Sequence, residues 1–365
     1  MLVAEGDQLT AVTAGPEMRV RWSVPAEVAM AGSVFVTAHL LLELVEVMDF
    51  AEVRLATDNR GHLRVRSVGI DTAIPGLPLL LAPQLNLAAG WSGQLNASEL
   101  LAACAQVRIA AARGEAKPIL TGVLMRFEDE SVVLVGTDGS RLAERRLNAI
   151  GTGRGRCDVI VPAKSLAEIE HLLEHAGDAV DCAADSSGRA ISLQAPGFEI
   201  VAMGLEGKFP SYAHLIPQAV ATSCVVDVAE ALRRLAAAAA FAPDDARKVT
   251  LRFRRAGLTI KGGAPDLGTS LATAAGRVTG AEGEVQINPD HLESGLRAVG
   301  SEQVVIEMSP APAILVMRPE PRIDYVFIVM PYVTQAAEQR VKVRPDTTFK
   351  APFSVGALDE PSHKP

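Results

Sequence analysis

The strongest constraint on the fold is a period. Three segments, VFVTAHLLLELVEVM from Val34, VIVPAKSLAEIEHLLEHAG from Val159 and VQINPDHLESGLRAVG from Val285, share one pattern: a short strand passes through a small or proline residue into an amphipathic helix. Their matching positions Val36, Val161 and Ile287 lie 125 and 126 residues apart. A second set keeps the spacing: QLTAVTAGPEMRVRWSV, SVVLVGTDGSRLAERRL and GLTIKGGAPDLGTSLAT each read as strand, glycine-containing turn, strand. The chain therefore reads as three copies of one domain, and helices segregated against largely antiparallel strands place it in the α+β class.

A third element opens two of the copies. NASELLAACAQVRIAAAR from Asn96 and DVAEALRRLAAAAAFA from Asp227 begin with helix-capping signals 131 residues apart. By the same period, the equivalent helix of the first copy would fall before Met1, so the first copy is expected to lack its first strand and helix. The expected boundaries are 1–90, 91–217 and 218–333, with 334–365 as a tail that has no sustained apolar period.

Composition narrows the function. The 365 residues are 48% hydrophobic and 21% charged, enough for substantial cores, and the 4% aromatic share points to aliphatic packing. A formal charge of −8 argues against a surface that coats nucleic acid everywhere, while leaving room for a local basic lining. Cys104, Cys157, Cys182 and Cys224 form no CxxC pair, which reads as four small buried side chains rather than a zinc ribbon or disulfide framework. The most apolar stretch, AIPGLPLLLAPQLNLAAGW, is broken by prolines and amides, and there is no secretory signal, so the expected compartment is the cytoplasm and no membrane partner is expected.

Catalytic signatures are weak. GTGRGR from Gly151 is not a phosphate loop and reads as a surface hairpin. His171 and His175 have the i, i+4 spacing of a metal pair but no third ligand nearby, and read as a solvated helix face. Asp244 and Asp245 read as turn residues. No metal or cofactor is expected, and an enzyme is the weaker class. The turn in VLVGTDGSRLAERR stands out instead, because the third copy's KGGAPDLGT has no Ser-Arg-Leu at the same place.

Three tandem α+β copies, together with GVLMRFEDESVVLVGTDGSRLA, GKFPSYAHLIP and DYVFIVMPYV, resemble the β subunit of bacterial DNA polymerase III, the sliding clamp, from about Leu9 to Tyr332. That resemblance implies three repeats of the DNA clamp fold, with helices on the inner face and antiparallel sheets outside. It implies a homodimeric ring around double-stranded DNA, bound without sequence preference, and no catalysis. It also implies a hydrophobic groove that tethers the polymerase III alpha subunit, the clamp loader and other clamp-binding-motif proteins, conferring processivity.

Carried onto this chain, the groove comprises Leu120, Thr137, Gly139, Ser140, Arg141 and Leu142, then Pro210, His214 and Leu215, then Ile328, Met330, Pro331 and Tyr332. Arg141 would orient the bound peptide. Ser140 stands where many clamps have histidine, Ala213 and His214 where arginines are common, and Tyr332-Val333 where the family ends in a short Met/Val-Arg-Leu. These departures imply an altered groove specificity. The channel would carry Arg108, Arg113 and Lys164 from the second copy and Arg233, Arg234 and Arg297 from the third, whereas the first copy's helix offers only Glu43, Glu46 and Asp49. An alternative reading is a clamp-derived regulatory module that keeps the groove and has lost ring closure.

Overall fold

The computed structural model of the protein describes residues 1–48, 52–77, 89–114, 116–151, 156–242 and 247–332. Asp49, Asp244, Asp245, most of the GTGRGR hairpin and the segment from Val333 onward lie outside the described residues.

Three series of elements follow one another. The first runs β1 (Leu2–Glu5), β2 (Gln8–Ala14), β3 (Met18–Pro25), β4 (Gly32–Val34), α1 (Ala38–Glu46), β5 (Arg54–Thr57), β6 (Leu63–Ser67) and β7 (Ile70–Ile74). The second runs β8 (Ala89–Asn96), α2 (Ala97–Arg108), β9 (Gly122–Glu128), β10 (Ser131–Thr137), β11 (Arg141–Asn148), β12 (Ile150–Gly151), β13 (Cys157–Pro162), α3 (Ala163–Leu173), β14 (Ala179–Asp185), β15 (Ala190–Ala195) and β16 (Phe198–Met203). The third runs β17 (Thr222–Asp227), α4 (Val228–Ala239), β18 (Val249–Arg254), β19 (Gly257–Ala264), β20 (Gly268–Gly280), β21 (Gly283–Ile287), α5 (Pro289–Ala298), β22 (Gln303–Met308), β23 (Leu315–Glu320) and β24 (Tyr325–Val329). The short β12 pairs with β8 as the second half of β20 pairs with β17, so the second and third series share one order. The first series enters that order at its second strand.

The helix starts follow from local chemistry. Asn96 and Asp227 accept hydrogen bonds from the backbone N–H groups of Glu99 (3.0 Å) and Glu230 (2.7 Å), and Asn288 accepts from that of Asp290 (2.8 Å). Thr37 and Pro162 begin α1 and α3 without a side-chain cap. α2 stops at Arg108, earlier than its alanine-rich continuation suggests. The N–H groups of Ala110 and Ala111 tighten onto the carbonyls of Val107 and Arg108, and that of Ala112 donates across the loop to Leu120.

Two large antiparallel sheets knit the series together. The nine-stranded sheet has the order β12-β8-β14-β15-β16-β3-β2-β1-β4, so the second series continues into the first through β16 and β3. The twelve-stranded sheet has the order β13-β9-β10-β11-β24-β23-β22-β17-β20-β19-β18-β21 and joins second to third through β11 and β24. β5, β6 and β7 form a separate three-stranded sheet. α2 packs on α3 and α4 on α5, each pair lying over strands of its own series. Two glycines allow this approach: a Cβ on Gly136 would meet the carbonyl oxygen of Val107 at 2.5 Å, and one on Gly262 that of Ala238 at 1.8 Å.

The main core runs continuously from Trp91 to Val329 through the second and third series. The first series has a small core of its own, Val36, Met48, Leu63, Val65 and Ile74. All four cysteines are buried and unpaired. His171 and His175 are exposed at the end of α3, as their helical spacing suggests, and His175 also packs edge-on against Trp22 with ring centroids 5.4 Å apart. Among the described residues no group of three metal-ligating side chains converges, and no helix is long and apolar enough to cross a membrane.

Candidate peptide groove and channel face

The turn between β10 and β11 is over-determined by hydrogen bonds. Gly139 adopts φ +95°, a conformation side chains disfavour, and its N–H donates to Thr137 Oγ1 at 3.1 Å. The Thr137 hydroxyl in turn donates to the carbonyl of Arg141 at 2.7 Å. Asp138 Oδ1 accepts from the N–H groups of Ser140 (2.9 Å) and Arg141 (3.0 Å), while its Oδ2 takes Arg141 Nε at 2.9 Å. Arg141 Nη1 then reaches Ser294 Oγ on α5 at 2.9 Å, and the N–H of Met330 donates to the Ser140 carbonyl at 2.8 Å. Second-series turn, third-series helix and the end of β24 are thereby locked into one rim.

Arg141 is only 9% exposed and spends Nε and Nη1 on this lock. Arg141, expected from the sequence to orient a bound peptide, is thus held in a fixed position at the rim. His291, beside Asp138 and Arg141, has its pKa lowered by burial, which favours a neutral ring at the junction.

Below the rim lies an apolar cluster on the face of the twelve-stranded sheet opposite the helices. Leu120, Leu142 and Ile328 belong to it, together with Leu124, Val135, Ile160, Phe209, Tyr212, Val316 and Val326. Leu215 packs against it half-buried. Pro210, Met330 and Pro331 are half-buried at its edge, and His214, Ser140 and Gly139 are exposed. Tyr332 is 41% exposed; its N–H donates to the Gln286 carbonyl at 2.8 Å and its hydroxyl to the Arg247 carbonyl at 3.2 Å, so it leans toward the third series. The residues named from sequence thus gather at one inter-series seam. The sequence reading omitted Leu124, Val135, Ile160 and Val326, although VLM, VVLV, VIV and YVFIV, which hold them, are the continuous apolar runs of strands covered on both faces.

The proposed channel residues are spread over the helix layer. Arg108 is half-buried in a bidentate pair with Glu170 of α3, at 2.7 and 2.9 Å. Lys164 reaches Glu17 at 2.6 Å, bridging to the turn between β2 and β3. Arg113 lies exposed in the loop after α2. Arg233 and Arg234 are exposed on α4 and Arg297 on α5; Arg234 and Arg297 carry i, i+4 pairs to Glu230 (3.2 Å) and Glu293 (2.8 Å). Exposed pairs of this kind hold their partners weakly, so these cations stay available to phosphate.

Comparison with known proteins adds a family. Residues 94–211 match the model of the DNA polymerase III beta subunit, central domain, and residues 213–332 that of its C-terminal domain. The beta sliding clamp of Streptomyces coelicolor is 29% identical over 352 residues, covering 91% of this chain and 90% of its own. A beta sliding clamp homolog from Streptomyces muensis is 27% identical over 80% of this chain and 78% of its own. Among solved structures, a Pseudomonas aeruginosa DNA polymerase sliding clamp with ligand superposes with a TM-score of 0.83 at 22% identity, covering 91% of both chains. The Bacillus subtilis clamp gives a TM-score of 0.81 at 22% identity, covering 91% of this chain and 90% of its own.

Proposed function

Because the chain belongs to the DNA polymerase III beta subunit family, the sliding clamps, whose members are non-catalytic processivity factors, we propose that it encircles duplex DNA as a head-to-tail homodimer and tethers partner proteins through the seam groove. In this reading the chain divides into units 1–90, 91–217 and 218–333, and two copies supply the six units of a ring.

The observation that carries the groove is its composition from both flanking series: β11 contributes Leu142, β24 contributes Ile328, and the linking segment contributes Pro210 and Leu215. Aliphatic walls with a few fixed polar groups suit an extended apolar peptide, and Met330 supplies an adaptable edge. Ring closure is supported by strand edges without a partner among the described residues, including one edge of β7 and the edge of β20 at Gly268–Ala275 that faces away from β19. Leu267 and Leu271, 52% and 64% exposed, stand at the second of these. On the helix layer, Arg113, Arg233, Arg234 and Arg297 offer sequence-independent contacts to phosphate, joined by Lys164 and Arg108.

The groove is tested by titrating the chain with a synthetic peptide from the clamp-binding segment of its own organism's polymerase III alpha subunit. Saturable binding is expected, lost on Leu142→Asp, which places a charge in the apolar floor. Binding that is absent in the wild type, or unchanged in the variant, overturns the assignment.

A further inference from the structure

The apolar floor carries a few charged side chains, and Glu144 is one of them. On β11, Glu144 projects from the same face as Leu142, two residues on. Its cross-strand neighbours are Val135 on β10 and Val326 on β24, both buried members of the apolar cluster. A carboxylate therefore sits in a row of aliphatic side chains, half-buried and continuous with the groove.

Its charged neighbours are already committed elsewhere. Arg126 holds both oxygens of Asp158 at 3.1 Å and donates to the Tyr212 hydroxyl at 3.3 Å. Arg146 is bound to Glu128 at 3.2 Å and to Ser131 at 2.6 Å. Arg318 is bound to Glu307 at 3.3 Å. Among the described residues, Glu144 has no ion pair within 4 Å; the Tyr212 hydroxyl hydrogen-bonds it, and the three arginines act on it only at longer range. Burial raises its pKa in spite of them, as expected for a desolvated carboxylate with no cation paired to it.

We propose that Glu144 is a specificity-determining residue of the groove, accepting a lysine, arginine or other donor side chain that flanks the apolar anchors of a bound peptide. The inference rests on the groove reading above. A cationic donor laid over Val135 and Val326 would give this carboxylate the ion pair it lacks, in a setting where water is already partly excluded and a charge-assisted hydrogen bond is strong. Tyr212 remains the wall beside it: its oxygen accepts from Arg126, and its hydroxyl also hydrogen-bonds Glu144.

The test uses the same alpha-subunit peptide in a set whose members differ only by Lys, Gln or Glu at each position flanking the apolar anchors, titrated against the wild type and Glu144→Gln. At one flanking position the wild type is expected to favour Lys over Glu by about tenfold, the size of a single charge-assisted contact. The isosteric Glu144→Gln variant should lose the Lys preference, binding the Lys and Gln peptides alike. A Lys preference that survives in Glu144→Gln, a preference for Glu, or no discrimination at any position while the Gln peptide binds would overturn the proposal and leave the groove standing. Failure of every peptide to bind the wild type would overturn the groove reading, and this one with it.

Discussion

α1 and α3 occupy the same place in their series, 125 residues apart, yet they are embedded very differently. α3 buries Ser165, Leu166, Ile169 and Leu173, with α2 packed beside it. The matching positions Leu40, Leu41 and Leu44 are at least as apolar, but α1 buries none of its residues and leaves Leu40, Leu42 and Val45 exposed. The difference lies in the neighbour. β8 and α2 complete the second series, and β17 and α4 the third, while the described residues of the first contain no such strand and helix. An amphipathic pattern fixes which face of a helix seeks cover; the companion decides whether that face is dry.

The contrast is sharpest at the matched leucines. Leu166→Ala deletes a fully buried side chain and is expected to cost about 3 kcal/mol. Leu41→Ala, at the half-buried equivalent, should cost less than half as much, because less apolar surface returns to water. Denaturant midpoints of the two variants check this, and equal losses would break the comparison. A smaller effect separates the helix starts. Asn96→Ala removes a cap on α2 and should cost about 1 kcal/mol, whereas Thr37→Ala at the start of α1 should be close to neutral, since its side chain caps nothing. Circular-dichroism melts of the pair give the answer; a Thr37→Ala loss as large as that of Asn96→Ala would contradict it.

Much of this was legible in the sequence because the period repeats whole strand–turn–helix units. The three matched positions, the Asn96 and Asp227 caps and the β10–β11 hairpin all follow from local spacing and turn chemistry. The groove was legible only as a set of residue types. That Leu120, Leu142 and Ile328 meet depends on β11 pairing with β24 across the 176 residues between Asn148 and Tyr325, which no local pattern encodes. Arg141 shows the same limit: its charge is plain in the sequence, but its commitment to Asp138 and Ser294 appears only once α5 is brought against the turn. Glu144 reads as an ordinary polar position on an alternating strand until its row shows valine on either side.

The small core of the first series makes ring closure the decisive point, because β7 and α1 belong to it. The direct measurement is retention on DNA of defined topology. The chain is loaded onto a nicked circular duplex by the organism's clamp loader and ATP, and the DNA-bound fraction is followed by gel filtration before and after the circle is linearised. A ring-forming clamp stays with the circle and runs off once an end is cut. Equal loss from circular and linear DNA would contradict encirclement.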